Sequence, residues 1–139
     1  MKTQLNSLMS IFESKIEIDK PVHDVYNFLS DFNNHQKLMP DNISNWSSTT
    51  DEARFSVQNM AKLSLKISNR IEDQTIIIVP ADEVPFNVDM RWVVADLGNN
   101  VTEAILTISA ELNMMMRMMA SGPLQKLVNH QTETLRKVL

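Results

Sequence analysis

The chain has no cysteine. That removes disulfide bonds, thiolate chemistry and cysteine metal sites at once, and it fits a reducing compartment, so the expected location is cytoplasmic. Glycine is almost as scarce, with Gly98 and Gly122 the only two. Phosphate-cradling loops and dinucleotide fingerprints need clustered glycines, and neither pattern is present; nor is a Gly-x-Ser-x-Gly nucleophile elbow. Positive charge is not in excess. The formal net charge is −4, so a nucleic-acid partner, which calls for a basic stripe, is not expected. Met1 to Ser10 carries one lysine and no long apolar run; it reads as neither a secretory signal nor an anchor, and no integral membrane segment is expected. The three histidines, His23, His35 and His130, lack metal-ligand spacing and have no carboxylate partner in sequence. Neither a metal nor another cofactor is expected.

What the sequence does have is periodicity. Its 139 residues, 43% of them hydrophobic, make one domain, 1–139, large enough to bury a core. No repeat, linker or low-complexity segment divides it. Phe12 to Ile18 alternates apolar and polar at period two, as a half-buried strand does, with Glu13, Lys15 and Glu17 on the wet face. Asp19-Lys20-Pro21 then starts a helix, with Pro21 at the first helical position and Asp24 in the first turn. Its buried face is Val22, Val25, Tyr26, Leu29 and Phe32. Asn33-Asn34 breaks this helix, and a second short one spans His35 to Met39, stopped by Pro40.

Six further strands follow: Ile43 to Ser48, Arg54 to Gln58, Lys62 to Ile71, Thr75 to Val79, Phe86 to Val94 and Thr102 to Leu112. Thr50-Asp51-Glu52, Asn59, Glu72-Asp73, Pro80 to Pro85 and Gly98-Asn99-Asn100 separate them. Connections this short favour an antiparallel meander. Leu63, Leu65 and Ile67 alternate with lysines and serines, and Phe86, Val88, Met90, Trp92 and Val94 alternate with Asn87, Asp89 and Arg91. A seven-stranded antiparallel sheet with one apolar face needs cover, and the only helix long enough to supply it comes last.

That helix spans Asn113 to Leu139, with an expected break at Gly122-Pro123. Beyond Pro123, Leu124, Leu127, Val128, Leu135 and Val138 form a dry face opposite Lys126, Asn129, Glu133, Arg136 and Lys137. Before it, Met114, Met115, Met116, Met118 and Met119 surround Arg117, and no wet face exists. Projected back without interruption at ~100° per residue, the dry face would centre on Arg117, with Met115 opposite. Either Pro123 kinks the helix and resets its register, or Arg117 points inward at an acidic partner. The kink is the reading adopted, because a lone buried guanidinium is costly.

At this point particular residues carry a resemblance. Ile16-Glu17-Ile18-Asp19-Lys20-Pro21-Val22, Val25 to Phe32, Lys37-Leu38-Met39-Pro40 and the closing Gly122 to Asn129 resemble the START-like, or SRPBCC, superfamily of polyketide cyclases and lipid-transport proteins, in its small bacterial members. The resemblance runs from about Phe12 to Leu139. It implies an α+β helix-grip fold: a curved seven-stranded antiparallel sheet, two short helices after the first strand, and a long C-terminal helix over the concave face. It also implies an apolar cavity for a lipid-, quinone- or polyketide-like molecule. With two glycines the chain lacks the glycine-rich loop of the plant allergen and hormone-receptor branch.

Fold does not imply function, so chemistry must come from the inward positions. These are almost wholly apolar, which counts against an enzyme. The expected ligand contacts are Ser14, His35, Trp46, Phe55, Leu65, Met90, Trp92, Leu106, Met115, Arg117, Met118 and Met119. The expected function is binding of a small hydrophobic molecule between sheet and helix. Two other readings stand beside it. One is a cyclase- or dehydratase-like enzyme using His35 or Arg117. The other is an interaction module, a homodimer for example, using the methionine surface.

Overall fold

The computed structural model describes residues 8–58, 62–84 and 86–139. Among these the order is β1 (Leu8–Ile18), α1 (Val22–Leu29), α2 (Phe32–His35) running into a 3-10 turn (Gln36–Leu38), β2 (Ile43–Ser48), β3 (Glu52–Val57), β4 (Lys62–Ile71), β5 (Thr75–Pro80), β6 (Val88–Gly98), β7 (Val101–Leu112) and α3 (Met114–Val138). The readings of Met1 to Ser7, Asn59 and Pro85 fall outside the described residues. No helix among the described residues is long and apolar enough to cross a membrane.

The seven strands form one antiparallel sheet in the order β1-β7-β6-β5-β4-β3-β2. Every neighbour except the first pair is also a neighbour in sequence, which is the meander that short connections impose. The first strand pairs with the last, from Leu8 opposite Leu112 to Ile18 opposite Thr102. Side-chain alternation gives the sheet one dry face: Thr102, Ala104, Leu106, Ile108, Ala110 and Leu112 are buried along β7, and Phe12 and Ile18 along β1. Between β6 and β7 the turn residues Asn99 and Asn100 both have positive φ, 56° and 59°. That is the two-residue hairpin geometry whose twist matches the strands, and asparagine tolerates it.

The helices begin and end where local chemistry dictates, and three boundaries differ from the sequence expectation. Pro21 is the extended N-cap of α1 rather than its first residue. α1 stops at Leu29, not at Phe32, because the Asp31 carboxylate accepts from the Asn33 N–H at 2.9 Å and starts α2 there. Asn33 and Asn34 therefore lie inside the second helix. Arg70 of β4 ties this corner together, donating to the Ser30 carbonyl, the Ser30 hydroxyl, the Thr50 carbonyl and the Asp51 carboxylate.

The larger correction concerns α3. It runs unbroken from Met114 to Val138 with Pro123 inside it. The register is not reset. Val128, Gln131, Thr132 and Leu135 are buried, Leu124 and Ala120 pack against the same core, Arg117 is half-buried and Met115 is 71% exposed. This is the uninterrupted projection. Proline removed one intrahelical hydrogen bond, and packing of the C-terminal half on β1 and β7 held the helical path regardless.

Candidate functional site

One row of side chains crosses the inner face of the sheet at the level of Ser14. Trp92 of β6 stands opposite Leu106 of β7, and Leu106 stands opposite Ser14 of β1. Above this row lies the C-terminal half of α3, where Thr132 meets Ser14 with hydroxyl oxygens 2.7 Å apart. Trp92 and Leu106 are fully buried and Phe55 nearly so. The space between sheet and helix is here filled by the protein's own side chains. Two polar atoms in this layer, Trp92 Nε1 and Gln131 Oε1, are buried without a hydrogen-bond partner.

The N-terminal half of α3 behaves differently. The helical row 114, 117, 118, 121 continues the inward face, yet Met114 and Met118 are 68% and 80% exposed. Together with Arg117 and Ser121 they line an open cleft of about 400 Å³. Among the described residues, all of its lining belongs to α3. Arg117 contributes the one charged side chain of that lining, and its Nε is buried with no hydrogen-bond partner among the described residues. The Ser121 hydroxyl donates to the Arg117 carbonyl, so it can offer a ligand only an acceptor. Asn113 caps the helix, its side chain accepting from the Met116 N–H at 2.8 Å.

The sequence matches no protein-family model, and no curated protein matches it. Solved structures do resemble it. The protein XoxI from Bacillus cereus superposes with a TM-score of 0.75 at 10% identity, covering 93% of this chain and 94% of its own. Norcoclaurine synthase from Thalictrum flavum gives 0.74 at 9% identity, covering 97% of this chain and 96% of its own. A START superfamily protein from Mycobacterium smegmatis gives 0.68 at 15% identity over 92% of this chain and 95% of its own. The fold is START-like. Identities this low speak to the fold, so the site has to be read from its own residues.

Within this START-like fold, the expected ligand residues divide. Arg117 and Met118 line the open cleft along α3, joined by Met114 and Ser121, which the sequence reading left out. Their spacing of three, four and seven residues was a usable signal, obscured by the expected break at Pro123. Met115 and Met119 are 71% and 73% exposed on the opposite side of the helix. They lie on the outer surface and in neither cleft lining. Ser14 is in neither lining either, and its hydroxyl is hydrogen-bonded to Thr132. Trp92 and Leu106 are core, with Leu65 and Met90 half-buried against it, and Phe55 is buried where it stacks on Trp46.

His35 and Trp46 belong to another corner. His35 is buried, and its Nε2–H donates to the Leu29 carbonyl at 2.7 Å. Since a carbonyl only accepts, Nε2 must carry the proton. Burial pushes its pKa down to about 4 against the opposing effect of that hydrogen bond, so the ring is neutral and structural. It packs edge-on to Phe32, which is edge-on to Trp46, which stacks on Phe55 at 5.3 Å. Trp46 also lines a separate shallow cleft of about 260 Å³ with Met39, Pro40 and Ile43. His35 has no place in either cleft lining.

Sequence spacing also missed a contact of His23. Its Nδ1 lies 2.8 Å from the Asp73 carboxylate, and this hydrogen bond raises its pKa. His23, Glu72 and Asp73 bring ligand atoms within 4.8 Å of one another. Fifty residues separate the partners, and only the β4–β5 turn, with Asp73 at φ 58°, brings them together. All three are at least half in solvent or at its edge, and the pair is accounted for as a surface ion pair.

Proposed function

We propose that this chain binds a small hydrophobic molecule in the open cleft along the N-terminal half of α3. The observation that carries the reading is the uncovered inner row of that helix, with Met114 and Met118 lining about 400 Å³ beside Arg117. Pocket volumes for small ligands run from roughly 300 to 1,000 Å³. Covering apolar area there contributes roughly 25 cal/mol per Å², and unbranched thioethers repack around irregular shapes. The solved structures of the same fold include norcoclaurine synthase in complex with dopamine and hydroxybenzaldehyde, consistent with a fold that admits small molecules.

Native mass spectrometry on protein purified gently from its own host tests this. The expected result is a stoichiometric adduct of a few hundred daltons, lost when Ser121→Phe fills the cleft. An adduct unaffected by Ser121→Phe would move the ligand elsewhere, and failure of any neutral apolar fluorophore to bind would end the reading.

The enzyme reading has less support: His35 is neutral, buried and hydrogen-bonded to the backbone, which removes the best acid-base candidate. The interaction reading has one observation of its own, the outward Met115 and Met119. Met115→Glu should then lower the oligomer mass and leave ligand binding intact. An unchanged mass would dismiss it.

A further inference from the structure

The proposed ligand has no charge assigned to it, and the residues of the cleft supply one. This inference rests on the hydrophobic-ligand reading above. We infer that the ligand is an anionic amphiphile, a soluble carboxylic acid with an apolar body, whose carboxylate pairs with Arg117 while its body lies against Met114 and Met118.

Arg117 carries a charge that no described residue pairs. A guanidinium is always protonated, has five N–H donors and no acceptor. Placed against apolar surface it is costly unless paired. The two ion pairs formed among the described residues are His23 with Asp73 and Arg70 with Asp51; Arg117 is in neither. Its Nε is buried with no acceptor among the described residues, and its neighbours in the lining are two thioethers and a serine whose proton is committed to the backbone. No described carboxylate pairs with it, so an occupant that displaces water from the guanidinium is best matched when it brings an anion of its own. A planar fork of N–H donors matches a carboxylate in bidentate geometry, and charge-assisted bonds of this kind are about twice as strong as neutral ones. An uncharged head group would leave the cation unpaired in a drier site than before.

The test is a matched pair of probes, dodecanoic acid and dodecanol, each displacing the neutral fluorophore N-phenylnaphthylamine from the intact protein at pH 8. Dodecanoic acid is expected to displace it at about tenfold lower concentration, Arg117→Met to reduce the two probes to parity, and Arg117→Lys to keep part of the preference. Equal displacement by acid and alcohol in the unaltered protein, or a preference that survives Arg117→Met, overturns the anionic ligand and leaves the hydrophobic reading standing. Absence of fluorophore binding overturns both. Sedimentation with phosphatidylglycerol vesicles that depends on Arg117, with no response to the soluble acid, overturns the free-ligand form in favour of a membrane surface. Should Arg117→Met fail to fold by circular dichroism, the acid-to-alcohol ratio of the unaltered protein decides alone.

Discussion

Ser14 and Thr132 share a hydrogen bond of 2.7 Å across 118 residues of sequence. The Thr132 hydroxyl also lies 3.1 Å from the Asn129 carbonyl, to which it donates. Its single proton is thereby used, and Ser14 must be the donor between the two hydroxyls. This bond clasps the middle of the first strand to the C-terminal half of the last helix. Thr132→Val leaves the half-buried Ser14 hydroxyl without this acceptor and should cost about 1 kcal/mol. Ser14→Ala leaves Thr132 bonded to Asn129 and should cost less. Urea unfolding of the two variants checks the order.

Gln131 offers the opposite case. Its Oε1 is buried without a donor, and a buried unsatisfied acceptor costs about 1 to 3 kcal/mol. Gln131→Met, similar in shape, should raise stability by about 1 kcal/mol. A loss measured by chemical denaturation would mean that a bound water or ligand atom occupies that acceptor.

The fold was legible because its evidence is local and repeated. Alternation along β1, β6 and β7 needs only neighbours in sequence to be read, and seven strands with short turns leave few topologies. The error at Pro123 had the opposite origin: a local rule was given priority over packing distributed along the whole helix. Arg117 sat on the correct face in the plain helical projection, and preference for a reset register displaced it. Ser14 with Thr132 and His23 with Asp73 were not legible at all, since nothing in either segment names its distant partner.

Arg70→Met should cost about 2 to 3 kcal/mol. The side chain donates to two backbone carbonyls, the Ser30 hydroxyl and the Asp51 carboxylate, so its loss strands several acceptors where α1 meets the β2–β3 turn. A thermal melt is sufficient, and a change below about 0.5 kcal/mol, the level of an ordinary exposed ion pair, would remove Arg70 from its structural role.

The histidines set opposite pH dependences. His35, held at about 4 in the fold against an ordinary value near 6.5, binds its proton more readily when unfolded. Stability is therefore full above pH 6.5 and declines as pH falls toward 4, by about 3 kcal/mol in all. His23 is raised by Asp73, so its contribution is present below 6.5 and lost as pH rises through the raised value. Histidine NMR titration should show His23 moving above 6.5 and His35 silent until near 4. A His35 that titrates near neutrality would contradict its burial.

Gly122 can be tested apart from Pro123. A Cβ added there meets nothing within 4 Å, so Gly122→Ala should stabilise the helix by about 1 kcal/mol. Ligand affinity that falls with this gain would mean that flexibility at Gly122-Pro123 is used in binding. Unchanged affinity would make this part of α3 passive.

The sheet order also decides when this protein can exist at all. Because β1 has β7 as its sheet neighbour and α3 as its cover, β1 must wait, unpaired, for residues 101–139 to be made. Long-range closure of this kind slows folding, and a half-apolar strand held open meanwhile is exposed to aggregation. Chains truncated before β7 should therefore be insoluble fragments rather than partial domains, an outcome set by the register of a single strand pair.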